Sequence, residues 1–180
     1  HNGFVTVEGE KMAKSAGNFV TVGDVLGEVA GEVFRFWMLG AHYRQPLDFS
    51  RDSLKQARAG LDRLYRALAE LGDVAAAPSA PPPLEVTDGL ADDLNTPRAV
   101  AGLHLLANEA NKAVRERDRA RLKRQLLDAG RLLGLLQEDP QRWFRGGAAD
   151  AGEIEQLIAE REQARAARDF RRADEIRDTL

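Results

Sequence analysis

The chain has 180 residues, a formal net charge of -3, 43% hydrophobic and 31% charged residues, and no cysteine. This length allows one or two domains with a hydrophobic core, and the missing cysteine excludes disulfides, thiolate zinc sites and cysteine nucleophiles within it. The acidic balance restricts any nucleic-acid surface to a local basic patch. No apolar run reaches the length of a membrane span and no signal-peptide pattern occurs, so we expect a soluble, cytoplasmic protein.

The first twenty residues predict a short strand followed by a loop that carries two lysines. Residues 4–7 are β-branched or aromatic, and Glu8-Gly9 predicts a tight turn. Lys11 and Lys14 follow on a loop that closes at Gly17-Asn18. Because an ammonium on a flexible stem can follow the charge of a polyphosphate as it redistributes, the loop indicates nucleotide chemistry.

Residues 21–71 predict helices. The spacing of Thr21 and Asp24 is typical of a helix start, and we expect Gly31 to end that helix before a second one over 32–39. Ser50 is expected to cap a long amphipathic helix. Its apolar stripe consists of Leu54, Ala57, Leu61, Leu64, Tyr65, Leu68 and Leu71.

A Pro/Ala-rich segment, GDVAAAPSAPPP, follows that helix and cannot sustain helical structure. It predicts a linker over residues 73–84. The chain would then divide into a loop-bearing helical segment over 1–72 and a helical bundle over 85–180. The predicted fold is mainly α, with a short strand and loop before an antiparallel helical bundle.

The predicted bundle has three helices after the linker. Thr96, whose hydroxyl is expected to act as the cap, and Pro97 in the first turn predict the start of one of them. A second carries apolar residues from Leu122 to Leu136 and is expected to stop at Pro140. Periodic apolar residues over 154–176 predict the last.

Three segments, in order, resemble the cysteinyl-tRNA synthetases, a family of class I aminoacyl-tRNA synthetases. Residues 1–19 resemble the family's KMSKS loop with its flanks, and residues 41–50 resemble its HYRSPLNYS segment. Residues 92–99 resemble DDFNTPEA, at the entry to the family's DALR-type tRNA-binding domain. Three ordered matches indicate the family far more strongly than the five-residue loop alone.

The resemblance implies a chemistry for the lysine loop. These enzymes activate cysteine with ATP and Mg²⁺ to cysteinyl-adenylate and then transfer the cysteinyl group to tRNA(Cys). It implies that Lys11 and Lys14 stabilise the charge on the leaving pyrophosphate, with Lys14 closest to ATP. Met12, Ala13 and Ser15 complete the implied ATP-binding set, with Ala13 in place of the family's serine.

Other family features are not found in this sequence. It contains no His-x-Gly-His, the signature of the family's catalytic domain. The family's zinc site, which reads the cysteine thiol, is also expected outside this chain, so zinc is a cofactor of the full enzyme alone. Since the chain opens at His1 without methionine, we expect a portion of the enzyme that is inactive without its catalytic domain.

The best candidate for RNA contact is a basic stretch of seven cations within thirteen residues. The alternative is a solvated corner between helices. Arg44, after His42 and Tyr43, is a further candidate, which either contacts tRNA or packs at a helix junction. The cations of the stretch are Lys112, Arg115, Arg117, Arg119, Arg121, Lys123 and Arg124.

Two remaining features have plain structural interpretations. Asp92 and Asp93 are expected to interact with a helix N-terminus rather than bind a metal, and no metal site is predicted. Trp37, Trp143 and Phe170 are expected to anchor packing rather than stack on bases.

Two other functions remain open from the sequence. One is a non-catalytic, stand-alone RNA-binding paralogue, which the missing initiator methionine disfavours. The other is the related ligase that joins cysteine to a glucosaminyl-inositol in mycothiol synthesis. That enzyme does not use tRNA, so the match at residues 93–97 argues against it.

Overall fold

A computed structural model describes residues 3–13, 18–145, 160–165, 169, 171–172 and 174. The chain divides into two compact units, residues 1–137 and residues 138–180. Helices dominate the described residues, so the prediction of a mainly α fold is confirmed. None of the helices in these ranges combines the length and apolar content that crossing a membrane requires.

The first unit begins with a small sheet in the order β2-β1-β3. Strand β1 (Val5–Val7) pairs antiparallel with β2 (Glu10–Lys11) and parallel with β3 (Leu47–Phe49). The turn residues Glu8 and Gly9 have φ values of 52° and 81°. Two left-handed residues are what a two-residue hairpin of type I′ requires, so the predicted strand and turn are confirmed.

Two short helices follow the lysine loop. Thr21 caps α1 (Val22–Glu28) in a capping box with Asp24, as predicted. The prediction that Gly31 ends this helix is wrong. Helix α1 already ends at Glu28, and Gly31 is the first residue of α2 (Gly31–Leu39).

Helix α3 (Arg51–Glu70) forms the centre of the first unit. Its predicted cap is confirmed, because the Ser50 hydroxyl accepts a hydrogen bond from the Ser53 amide at 3.1 Å. The predicted apolar stripe is buried, and Leu61, Leu64 and Tyr65 are 0% exposed. The helix packs against α2 and against α5.

The Pro/Ala-rich segment after α3 contains no helix before residue 84, as predicted. It lies against a later helix, since the Ala77 amide donates to the Ala120 carbonyl at 3.0 Å. The whole segment belongs to the first compact unit. The division of the chain into domains at 73–84 stays a prediction.

The segment is followed by a helix that the sequence did not reveal, α4 (Leu84–Ala91), which packs on α5 (Thr96–Lys112). The two backbones approach closely at two glycines. A Cβ on Gly102 would lie 2.8 Å from the carbonyl carbon of Glu85, and one on Gly89 would lie 2.8 Å from the Ala99 nitrogen. Glycine at both positions therefore permits the contact.

Helix α5 starts at Thr96 as predicted, but the prediction that the Thr96 hydroxyl caps it is wrong. The cap is Asn95, whose side-chain oxygen accepts from the Arg98 amide at 3.1 Å. Thr96 is already helical, and its hydroxyl donates to the Ala41 carbonyl at 3.3 Å.

Helix α6 (Glu116–Leu133) ends earlier than expected. Gly134 follows it with φ 65°, a left-handed C-cap that glycine adopts without steric cost. The predicted stop at Pro140 is wrong, because Pro140 instead begins a short helix, α7 (Pro140–Phe144), in the second unit. Asp139 caps α7, and Trp143 is buried as predicted.

Of the last predicted helix, over 154–176, residues 160–165, 171–172 and 174 are helical, and residue 169 is not. The rest of that prediction, with Phe170, lies outside the described residues.

One carboxylate connects distant parts of the first unit. Glu32 on α2 accepts a hydrogen bond from the Tyr65 hydroxyl on α3 at 2.9 Å. It also accepts one from the backbone amide of Leu136, beyond the end of α6. Because Tyr65 and Leu136 are buried, this carboxylate satisfies polar groups at the core of the unit.

Candidate nucleotide loop and nucleic-acid interface

The lysine loop leaves the small sheet at β2. Lys11 is the last residue of that strand, and Met12 and Ala13 after it are half-buried. The Ala13 amide donates to the side-chain oxygen of Asn18 at 2.9 Å, which joins the two ends of the loop. Lys14 and Ser15, predicted to contact ATP, lie between these ends and outside the described residues.

Asp48 holds the hairpin from which the loop emerges. Its Oδ1 accepts from the Thr6 hydroxyl at 2.6 Å and from the Gly9 amide at 2.8 Å. These hydrogen bonds favour the ionised form and lower the pKa of the Asp48 carboxyl. No sequence motif marks Asp48, although its place between Leu47 and Phe49 indicates a strand position.

The candidate RNA-contact residue Arg44 is engaged within the protein. Its Nε donates to Asp93 Oδ2 at 2.8 Å, and the Tyr43 hydroxyl donates to Asp93 Oδ1 at 2.8 Å. His42 Nε2 lies 3.1 Å from the Asp93 carbonyl oxygen. The Arg44 and Tyr43 hydrogen bonds lower the pKa of Asp93. Residues 42–44 thus form a junction with the entry to α5.

The side-chain cap of α5 is Asn95 and not the Asp92-Asp93 pair, which lies just before the helix. Asp92 pairs with Arg98 at 3.2 Å, and Asp93 pairs with Arg44. Across the part of the chain that the structure describes, no group of three or more potential metal ligands comes together.

Two members of the basic stretch hold the segment after α3 against α6. Arg119 donates to both oxygens of Asp73 at 2.9 and 2.8 Å and to the Glu70 carbonyl at 2.6 Å. Lys123 donates to the carbonyls of Leu71 and Val74 at 2.8 and 2.7 Å. The acceptors are mostly backbone carbonyls, which no sequence pattern marks.

Two further cations of the stretch bind neighbours on their own helix. Arg121 donates to Gln125 at 2.7 Å, and Arg124 donates to Asp128 at 2.8 Å. Both arginines are half-buried. These side chains have intramolecular roles in the described structure.

The cations that remain exposed lie at the α5–α6 junction. Lys112 ends α5, and Arg115 and Arg117 flank the start of α6. Val114, between Lys112 and Arg115, is 91% exposed. The exposed part of the predicted basic stretch is therefore smaller than the sequence indicates.

An aromatic cluster supports the sheet next to α2. Trp37 is 8% exposed, stacks on Phe34 with ring centroids 5.4 Å apart, and meets Phe49 of β3 edge-on at 5.5 Å. The prediction that Trp37 anchors packing is confirmed. The cluster joins α2 to the strand that carries Asp48.

Comparison with protein families agrees with the resemblance seen in the sequence. Residues 1–59 match the family model of the tRNA synthetases class I (C) catalytic domain, and residues 85–137 match that of the DALR domain. The loop, the helices behind it and these two matches define part of a class I aminoacyl-tRNA synthetase.

Curated relatives specify the family further. The chain is 51% identical to the cysteine–tRNA ligase of Rhodospirillum rubrum, over 100% of this chain and 40% of the relative. It is 50% identical to that of Xanthomonas campestris, over 100% of this chain and 39% of the relative. The chain belongs to the cysteine–tRNA ligase family and spans about 40% of the length of these relatives.

Proposed function

We propose that this chain supplies the lysine loop and tRNA-contacting helices of an enzyme that activates cysteine with ATP and transfers it to tRNA(Cys). The observation that carries the proposal is identity near 50% over the whole chain to ligases of that name. The order of the two family matches, catalytic domain before DALR domain, supports it. The DALR match also favours this function over the mycothiol-type ligase.

In this proposal Lys11 and Lys14 stabilise the negative charge that develops on pyrophosphate as cysteinyl-adenylate forms. Met12, Ala13 and Ser15 border the ATP, with Lys14 nearest to it. Preorganised cations at the site of developing charge lower the barrier without covalent chemistry. ATP enters with Mg²⁺, and a zinc ion that recognises the cysteine thiol is assigned to the part of the enzyme outside this chain.

We propose that tRNA contacts the exposed cations Lys112, Arg115 and Arg117 at the α5–α6 junction. They are exposed on one corner of the first unit. Arg119 and Lys123 stabilise that corner through hydrogen bonds to backbone carbonyls of residues 70–74. Contacts to phosphate position the RNA without reading its sequence. We place the enzyme in the cytoplasm, where charged tRNA is used.

A chimera tests the catalytic role of the loop. This chain replaces the matched segment of the Rhodospirillum rubrum ligase, and ATP–pyrophosphate exchange with cysteine is measured. We expect the chimera to be active and Lys14→Ala to lower kcat by about 10²–10³-fold. Lys55→Ala, which removes an exposed lysine from α3, is the matched control.

Two results would contradict the proposal. One is a folded chimera without exchange activity, and the other is a Lys14→Ala chimera as active as the control. A chimera that binds tRNA yet never supports exchange would instead favour the non-catalytic RNA-binding function.

A further inference from the structure

The lysine loop is connected to the sheet through a strand of only two residues. Strand β2 pairs with β1 through Thr6↔Lys11 and Val7↔Glu10, and β1 lies between it and β3. A pairing this short constrains its own orientation weakly. Something beyond the strand pair must hold the hairpin if Lys11 is to leave the sheet at a defined position.

The other side of β1 is firmly attached. The Leu47 amide donates to the Phe4 carbonyl at 2.9 Å, and the Glu8 amide donates to the Phe49 carbonyl at 3.1 Å. At its start, Gly3 donates to the Tyr43 carbonyl at 2.7 Å. Strand β3 is therefore the base on which the hairpin rests.

Asp48 connects this base to the turn of the hairpin. In the register Thr6 stands between Lys11 of β2 and Asp48 of β3. One Asp48 oxygen accepts from both the Thr6 hydroxyl and the Gly9 amide, at 2.6 and 2.8 Å. A carboxylate oxygen has enough lone pairs for both bonds, so a single acceptor joins β1 and the turn.

We propose that Asp48 is a positioning residue for the lysine loop, because its carboxylate fixes the β1–β2 hairpin on β3 and so sets where Lys11 leaves the sheet. Asp48 acts through Thr6 and the Gly9 amide, and it need not contact ATP. The inference rests on the proposed function, in which the loop acts on the phosphates of ATP.

The substitutions at Asp48 and Thr6 distinguish the effect of the hydrogen-bond acceptor on Asp48 from the effect of its negative charge. Asp48→Ala removes the acceptor and frees the turn. Asp48→Asn keeps an amide oxygen with two lone pairs, so it retains both hydrogen bonds and rescues the hairpin. Thr6→Val removes one donor, and Thr6→Ser restores it. Asp52→Ala, an exposed carboxylate on α3, is the matched control.

The first measurement uses this chain alone and does not depend on its function. Amide hydrogen exchange is followed by NMR at Gly9 and Lys11, with thermal melting recorded for each variant. We expect Asp48→Ala to accelerate exchange at Gly9 by about tenfold. The melting temperature should change little, because Asp48 is exposed. Unchanged exchange at Gly9 would overturn the proposal.

The second measurement uses the chimeric ligase. We expect Asp48→Ala to lower kcat of pyrophosphate exchange by about 10–100-fold, with KM for cysteine unchanged, since small misplacements of a catalytic group cost rate. Asp48→Asn and Asp52→Ala should keep kcat near that of the unsubstituted chimera.

The outcomes distinguish this inference from the proposed function. If Asp48→Ala loosens the hairpin while kcat stays unchanged and Lys14→Ala remains slow, the positioning role is overturned and the proposed function stands. If Lys14→Ala also leaves kcat unchanged, the positioning role and the proposed function are both overturned. Equal loss of kcat in Asp48→Ala and Asp48→Asn would assign the effect to charge and overturn the hydrogen-bond argument.

Discussion

His104 on α5 illustrates how a single residue responds to its surroundings. Its ring meets Phe36 of α2 edge-on, with centroids 6.0 Å apart, and it is half-buried. Burial, and then the positive charge of Arg63 on α3, lower the pKa of the His104 imidazole below 6.5. The folded protein thus favours the neutral ring, so protonation opposes folding.

This pKa shift predicts a pH dependence of stability. The unfolded chain binds the proton at higher pH than the folded one, so the contribution of His104 is present above pH 6.5 and is lost as pH falls through the folded pKa. His104→Gln should flatten this part of the profile. The measurement is urea unfolding of both proteins between about pH 7.5 and 5.5. Profiles that fall equally would contradict the prediction.

Single residues also show which parts of the site the sequence could reveal. Lys11 and Lys14 are identifiable because their spacing and flanks form a motif. The role of Asp93 is not, since its partners Arg44 and Tyr43 lie about fifty residues away in sequence. The acceptors of Lys123 are backbone carbonyls, which every residue has. Long-range pairing of this kind depends on the fold.

Among the elements, the contact between α4 and α5 depends on glycine. Gly102 on α5 faces the backbone of Glu85, and Gly89 on α4 faces the backbone at Ala99. Backbone atoms cannot rotate away as a side chain can. An added methyl group must therefore separate the helices.

We predict that Gly102→Ala destabilises the protein by about 1–3 kcal/mol, because the overpacking outweighs the higher helix propensity of alanine. Gly27→Ala on α1 is the matched control, since nothing lies within 4 Å of its added Cβ. That control should be neutral or stabilising by up to about 1 kcal/mol. Chemical denaturation measures both. Equal effects would contradict the close helix contact.

Elements with strong periodicity were predictable, and their ends were less so. The apolar residues of α3 recur at intervals of three and four residues along most of the helix, as a buried helix face requires. Helix α4 has eight residues and follows three prolines, so its pattern is too short to separate from the spacer. At α6, Gly134 competes with Pro140 as a stop signal, and the nearer residue ends the helix.

At the scale of the whole molecule, a net charge of -3 coexists with a basic corner. Lys112, Arg115 and Arg117 are exposed there, whereas Arg119 and Lys123 are bound to residues 70–74. In the proposed complex, RNA bound at this corner would release counterions in proportion to the phosphates it contacts. The salt dependence of binding therefore reports how many cations contact phosphate groups.

We predict that Arg115→Gln/Arg117→Gln weakens tRNA binding by the chimeric ligase and reduces the slope of log K against log salt by about 1–2. Arg131→Gln, on the last turn of the same helix α6, is the matched control and should leave the slope unchanged. Filter binding from low to high salt measures both. A slope that the double variant does not alter would contradict contact at this corner.

The mainly α fold was predictable at this scale because amphipathic spacing covers most of the chain. The compactness of the first unit was not predictable from the sequence. The Pro/Ala-rich composition indicates a spacer, and residues 70–77 are bound along α6 by Arg119, Lys123 and the Ala77 amide. Composition predicts that a segment is not helical, but it does not predict whether that segment is free.

The Glu32 carboxylate has a consequence for how the chain is made. Its hydrogen bond to the Leu136 amide joins two residues that are 104 positions apart in the sequence. The ring contact of Phe36 likewise requires a residue that is synthesised later, His104. At about 5–20 residues per second, a ribosome needs about 5–20 s to add that length. Until α5 has been synthesised, the face of α3 that packs on it is uncovered, and Glu32 gains its Leu136 partner later still. Translation therefore produces the catalytic-domain match first but leaves it unfinished until the DALR match has been synthesised.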